Sequence, residues 1–199
     1  MYNLGKMKRL LTYLFLGLLF ISAPSQADDI RDFQIEGMSV GDSLLDFFSE
    51  EEIKNTTVDW YKSNRYTSIE ILNHKNFKTY EELQILFETK DSSKKIAGID
   101  GIINYIKNID ECYKRIDEVV QEISNIVKDL KDLGKTTYKH GADETGKSTV
   151  TDYVFENKNS DEIQIGCYDY SESYGAEDHF RIGIRLIALR NWIRNEAYK

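Results

Sequence analysis

The chain is expected to be an α+β protein: antiparallel β-sheet meanders packed by one long amphipathic helix. Three observations predict this. Apolar and polar residues alternate with period two in six separate stretches. One stretch, from Ile109 to Leu133, instead repeats with helical spacing. The single Pro, Pro24, lies near the N-terminus, and no linker, low-complexity tract or repeat divides the rest. The predicted order is αα-βββ-α-βββ-α in one domain over residues 28–199.

The first 27 residues read as a leader. Lys6, Lys8 and Arg9 are followed by an apolar run from Leu10 to Ile21, then by Ala23-Pro24-Ser25-Gln26-Ala27. This is the pattern of a secretory signal peptide cut after Ala27. The apolar run is shorter than the roughly 18–20 residues a membrane span needs. The expectation is a periplasmic or extracellular protein without stable membrane insertion.

The elements follow in order. Residues 28–34 are a polar lead-in. Asp42 or Ser43 caps a short helix carrying Leu44, Leu45, Phe47 and Phe48. Ser49 with Glu52 forms a capping box for a second helix. Alternation from Tyr66 to Ile71 and from Leu83 to Phe87 predicts two strands. A turn at residues 91–94 leads into a third strand over residues 95–105, weakened by Gly98 and Gly101. Ile109, Cys112, Tyr113, Ile116, Val119, Val120, Ile123, Ile126, Val127, Leu130 and Leu133 then form one stripe on a helix of about seven turns, which Gly134 stops. Residues 134–148 read as a polar loop. Residues 149–156 and 161–170 form a hairpin around Asn157-Lys158-Asn159-Ser160. Phe180, Ile182, Ile184 and Leu186 mark a last strand, and Leu189, Trp192, Ile193 and Ala197 a short C-terminal helix.

Charge narrows the partners. Residues 28–199 hold 23 Lys and Arg against 34 Asp and Glu, a net −11. Such a chain repels phosphate backbones and anionic lipid, so no nucleic acid is expected among its partners. The excess is uneven. Residues 181–199 carry Arg181, Arg185, Arg190, Arg194 and Lys199 against Glu196 alone, which leaves residues 28–180 at −15. The basic tail is expected to pack beside the acidic bulk. The two Cys, Cys112 and Cys167, are either a disulfide, as an oxidising compartment permits, or two small buried hydrophobes.

Two motifs invite functional readings. Gly41-Asp42-Ser43-Leu44 is the tetrapeptide that names the GDSL serine hydrolases. In that family the Ser follows a buried strand, and its base is a His in an Asp-x-x-His motif. Here only Met38-Ser39-Val40 precedes Gly41, and the late His, His179, has Ala176 three residues before it. A Ser hydroxyl without a base is a weak nucleophile. No catalytic residue is expected, and Ser43 with His179 stands as the esterase alternative. GADETGKS, residues 141–148, fits the phosphate-loop pattern. It lacks the buried strand before it and the helix after it, and Asp143 and Glu144 put negative charge where anions would bind. No cofactor is expected. His74, His140 and His179 lack ligand spacing, so no metal is expected either. Asp169, Glu172, Tyr174, Glu177 and Asp178 make an acidic, aromatic loop that suits a cationic or sugar-like ligand.

IEGMSVGDSLLDFFSEEEI, CYDYSE and NWIRNEAY resemble a group of small exported bacterial proteins. That group opens on IEG-x-S-x-GDSLLD-x-FS and closes on W-x-x-NEAY. The chain is more distantly similar to the αα-βββ modules of outer-membrane assembly lipoproteins and β-lactamase inhibitor proteins, where Gly-Met-Ser or Gly-Met-Thr precedes the first helix. Gly37-Met38-Ser39 matches; the Gly-x-Pro and lipobox of those proteins are missing. The resemblance implies a binding or scaffolding module and transfers no functional residue. The expected partner is an envelope protein or a small ligand.

Overall fold

The computed structural model of the protein describes residues 30–126 and 129–199. The leader expected over residues 1–27, and Val127 of the helical stripe, lie outside the described residues. Three helices and an eight-stranded antiparallel sheet make up the fold. Two 3-10 turns, Ile30–Asp32 and Leu44–Asp46, precede α1 (Glu50–Asn55). The strands β1 (Thr57–Val58), β2 (Tyr66–Leu72), β3 (Glu82–Glu88) and β4 (Ile96–Asn104) follow. After α2 (Ile109–Ile126) come β5 (Lys131–Lys139), β6 (Thr149–Glu156), β7 (Glu162–Asp169), β8 (His179–Arg185) and α3 (Ile187–Asn195). The strand order is β1-β2-β3-β4-β8-β7-β6-β5. Two four-stranded meanders therefore meet along one β4–β8 ladder and share a single sheet.

One face of the sheet carries the core. Ile69, Ile85, Ile99, Ile184 and Ile163 lie across it in register on five neighbouring strands, each fully buried. The buried residues of α2, Cys112, Ile116, Val119 and Ile123, pack on this face. Each aliphatic side chain so buried contributes roughly 1.5–3 kcal/mol. Cys112 and Cys167 form a disulfide that ties the first turn of α2 to β7.

The start of the chain is more structured than a polar lead-in. Ile35 and Met38 pair across a tight turn in which Glu36 and Gly37 both have positive φ, 51° and 83°. Ile30, Ile35, Met38, Val40 and Leu44 join the core. The Glu36 carboxylate accepts the backbone N–H groups of Lys78, Thr79 and Tyr80 at 2.9, 2.7 and 3.0 Å. Asp42 does not cap a helix: its carboxylate accepts the N–H of Ser39. Ser43 stands at the cap position, but its hydroxyl donates to the carbonyl of Ser93. The Ser49–Glu52 capping box is present as expected.

The long helix ends earlier than its spacing predicts. Leu130 precedes β5, Leu133 lies within it, 44% exposed, and Gly134, at φ 80°, sits at a bulge rather than at a helix stop. Residues 131–139 are polar because β5 is an edge strand with little cover on either face, so the sequence pattern reads as helix through Leu133 and as loop from Gly134. Asp161 supplies a cap the sequence does not suggest, accepting the N–H of Ile187 at the start of α3.

Candidate functional site

The other face of the sheet carries a second apolar cluster under α3, Tyr66, Leu86, Ala97, Leu189 and Trp192, but around β7 and β8 it is polar, and the alternation there sets the site. On β8 the core residues Phe180, Ile182 and Ile184 alternate with His179, Arg181, Gly183 and Arg185. On β7, Gln164, Gly166 and Tyr168 face the same way. Gly183 is there for the space it leaves: a Cβ would clash with the Asp100 carboxylate. Asp100 of β4 thus lies flat across the β4–β8 ladder between two arginines. Arg185 Nη2 donates to both its oxygens, at 2.9 and 3.1 Å, and Arg181 Nη1 stands 3.5 Å away. Arg185 also donates to Gln164, Gln164 donates to Asp152, and Tyr138 of β5 donates to the same Asp152 at 2.8 Å. Arg190 of α3 bridges Glu156 and Glu162 at 3.0 Å each. The basic tail packs against the acidic bulk through these pairs.

Beside this network lies an aromatic cluster. Tyr168 stacks on His179 at 4.7 Å, and Tyr170 on Tyr174 at 5.2 Å. His140, from the turn after β5, sets its edge against Tyr170 and Tyr174 at 5.1 and 5.5 Å. The Arg181 guanidinium covers the Tyr168 ring, 4.8 Å from its centre. Five buried side-chain nitrogens or oxygens among the described residues have no partner in the protein. Three of them belong here: His179 Nε2, His140 Nδ1 and Arg181 Nε.

His179 is 8% exposed. Its Nδ1 stands 3.1 Å from the Glu177 carbonyl, which only accepts, so Nδ1 carries the hydrogen and Nε2 is a bare acceptor. Burial and then the Arg181 charge push its pKa down to about 3. The same two causes lower His140. Both imidazoles are therefore neutral at physiological pH. Burial raises the Tyr170 hydroxyl, which stays protonated and a donor. On β3, burial lifts the Glu82 carboxyl to about 7.

The predicted loop residues divide between roles. Tyr174 joins the cluster, and Glu177 contributes its carbonyl. Asp178 is used structurally: its carboxylate accepts the N–H of Tyr170 and its carbonyl that of Tyr105. Asp169 points to the α2 side, 3.4 Å from the Tyr113 hydroxyl, and Glu172 is exposed. Among the described residues no three His, Cys, Asp or Glu gather as metal ligands do. His140, Tyr168, Tyr170, His179 and Arg181 complete the site; the in-out alternation of β7 and β8 places Tyr168, His179 and Arg181, while His140 and Tyr170 come from the turns beyond β5 and β7.

Ser43 and His179 are not brought together. Ser43 bridges to Lys95, just before β4, while His179 pairs with Asn104 at its far end. Nine residues of strand separate them, about 30 Å. The GADETGKS turn folds around its own Asp143, whose carboxylate accepts the N–H and hydroxyl of both Thr145 and Ser148. Those hydrogen bonds hold the Asp143 pKa well below the usual range. The amides that would cradle a phosphate are turned onto this carboxylate. No family model matches the chain, and comparison with curated proteins and with solved structures returns no match.

Proposed function

We propose that the chain is an exported, non-catalytic binding module whose ligand surface is the tyrosine–histidine cluster on the polar face of the sheet. The observation that carries this is the bare Nε2 of His179 together with the unpartnered Nε of Arg181, two side chains that both lie against the Tyr168 ring. A buried acceptor and a buried donor left without partners cost stability, and a bound ligand that supplies both recovers it. Of the two ligand chemistries that suit the loop, the cationic one is disfavoured. The cation-binding face of Tyr168 already holds Arg181. A neutral hydroxylated ligand fits better: its hydroxyls donate to His179 and accept from Arg181, and its flat face lies on Tyr174. The Cys112–Cys167 disulfide supports the periplasmic or extracellular location that the leader suggests.

Isothermal titration with neutral oligosaccharides tests the reading. The wild type should bind, and Tyr174→Ala should weaken binding at least tenfold with an unchanged melting temperature. Equal affinity of wild type and variant, or no heat with any saccharide, rejects it. N-terminal sequencing of the exported form should begin at Asp28.

A further inference from the structure

A second feature opens on the same face, at the β1–β2 edge. β1 pairs only with Ile69 and Ser68, so Tyr66 and Thr67, paired with β3 on one side, have no strand on the other. The loop that would have continued β1 is drawn away onto the C-terminal tail. There the N–H groups of Lys62 and Ser63 donate to the Ala197 carbonyl, and Trp192 Nε1 donates to the Ser63 hydroxyl. The space left is a cleft of about 460 Å³ lined by Thr57, Tyr61, Asn64, Tyr66, Ser68 and Thr89 among others. Asp59 and Lys62 give its rim one charge of each sign. Its floor holds the Ser68 hydroxyl, in a residue 3% exposed, with no partner in the protein.

Hydroxyl and amide side chains around an unpartnered hydroxyl, with two tyrosine rings in the wall, match the mixed donors and acceptors of a sugar ring. Apolar pockets for the side chains of an added peptide strand are not part of this lining. Ser68 stands in register with Leu86, Gly98 and Arg185, so the cleft and the tyrosine–histidine cluster share one face. Four strand spacings across the sheet, about 19 Å, and six residues along β8 from Arg185 to His179, about 20 Å, put the cleft and the cluster roughly 28 Å apart. Resting on the saccharide reading above, we infer that the cleft is a second saccharide subsite, so that the ligand is a linear neutral glycan spanning the face rather than a single sugar.

The two tryptophans make the test specific. Trp60 precedes the cleft loop, and Trp192 lies 4.9 Å from both Tyr61 and Tyr66, so tryptophan emission reports the cleft. The probes are chito-, cello- and malto-oligosaccharides of two to six units, followed by emission and by calorimetry. A hexamer should change the emission and bind at least tenfold tighter than the dimer of its series. Ser68→Ala should reduce the hexamer to the dimer's affinity. Asn64→Ala, on the exposed loop where folding is not at stake, should do the same. Calorimetric binding with silent tryptophans and no dependence on length overturns the second subsite while leaving the cluster intact. A change in emission with an extended tripeptide, and none with saccharides, overturns it in favour of strand addition. The absence of any saccharide binding removes both readings together.

Discussion

Glu36 does in one residue what a short chain segment often needs several to do. Its carboxylate collects three backbone N–H groups of residues 78–80, which pins the turn before β2's neighbour β3 to the start of the fold. Charge-assisted hydrogen bonds are the strong ones. Glu36→Gln should cost about 1–3 kcal/mol, read as a shift of the urea midpoint without a change in slope. His179 predicts a pH dependence. Its folded pKa of about 3 lies below the usual 6.5, so the unfolded chain binds the extra proton. Stability from this group is fully present above about 6.5 and is lost as pH falls toward 3, by about a few kcal/mol. Glu82 acts in the opposite sense, because its folded pKa near 7 exceeds 4.5, so its contribution is lost as pH rises through 7. Comparing wild type with His179→Gln from pH 7 to 4 separates the two. The wild type should lose more stability on acidification, and parallel curves would refute the assignment. At this scale legibility depended on distance along the chain. The Ser49–Glu52 box spans three residues and is visible in the sequence. Asp42 has two partners within local reach, the Ser39 N–H and a helix cap, and takes the first, a choice that sequence distance does not decide. The Asp100–Arg185 pair joins residues 85 apart, and only strand register reveals it.

Among the elements, α2 shows both the power and the limit of periodicity. Cys112, Ile116, Val119 and Ile123 are the buried stripe that the spacing predicts. Beyond Ile126 the apolar spacing continues into Leu130 and Leu133, yet the chain has turned into an edge strand. Periodicity reports a face only while the backbone stays helical. Ile123→Asp should place a carboxylate in the core and leave the protein unfolded or barely folded, because a domain of this size has only about 5–15 kcal/mol to lose. Gln121→Asp, exposed on the same helix, should change stability by under about 1 kcal/mol. Thermal melts by circular dichroism decide the matter, and matching curves would place the stripe outside the core. β7 and β8 were located by their alternation, which also marks which of their residues leave the core. β5 leaves no such mark, because an edge strand has no buried face to impose alternation.

On the scale of the whole molecule, the α+β class and most strand positions were legible, while the joining of two meanders into one sheet was not. The joint is set by the pairing of β4 with β8, a contact no local pattern announces. The Cys112–Cys167 bond spans 55 residues across that arrangement. By loop-closure entropy its loss should cost about 4 kcal/mol, measured as the difference in unfolding free energy between wild type and the Cys112→Ser/Cys167→Ser double variant. A difference under about 1 kcal/mol would show that the reduced chain is already constrained in that region.

The same bond bears on how fast the molecule assembles. Each meander closes through neighbours in sequence, but Asn104 and His179 at the β4–β8 joint are 75 residues apart. Through the disulfide the path is 8 residues to Cys112 and 12 from Cys167. Shortening the search from 75 to about 20 residues removes roughly 1 kcal/mol from the entropic barrier to joining the halves. Where the joint forms in the rate-limiting step, oxidised protein should refold several times faster than reduced protein, and the rest of the roughly 4 kcal/mol should appear as slower unfolding in its chevron. Oxidation of this one bond then sets not only how stable the protein is but how briefly its unpaired β4 and β8 edges are open to other chains.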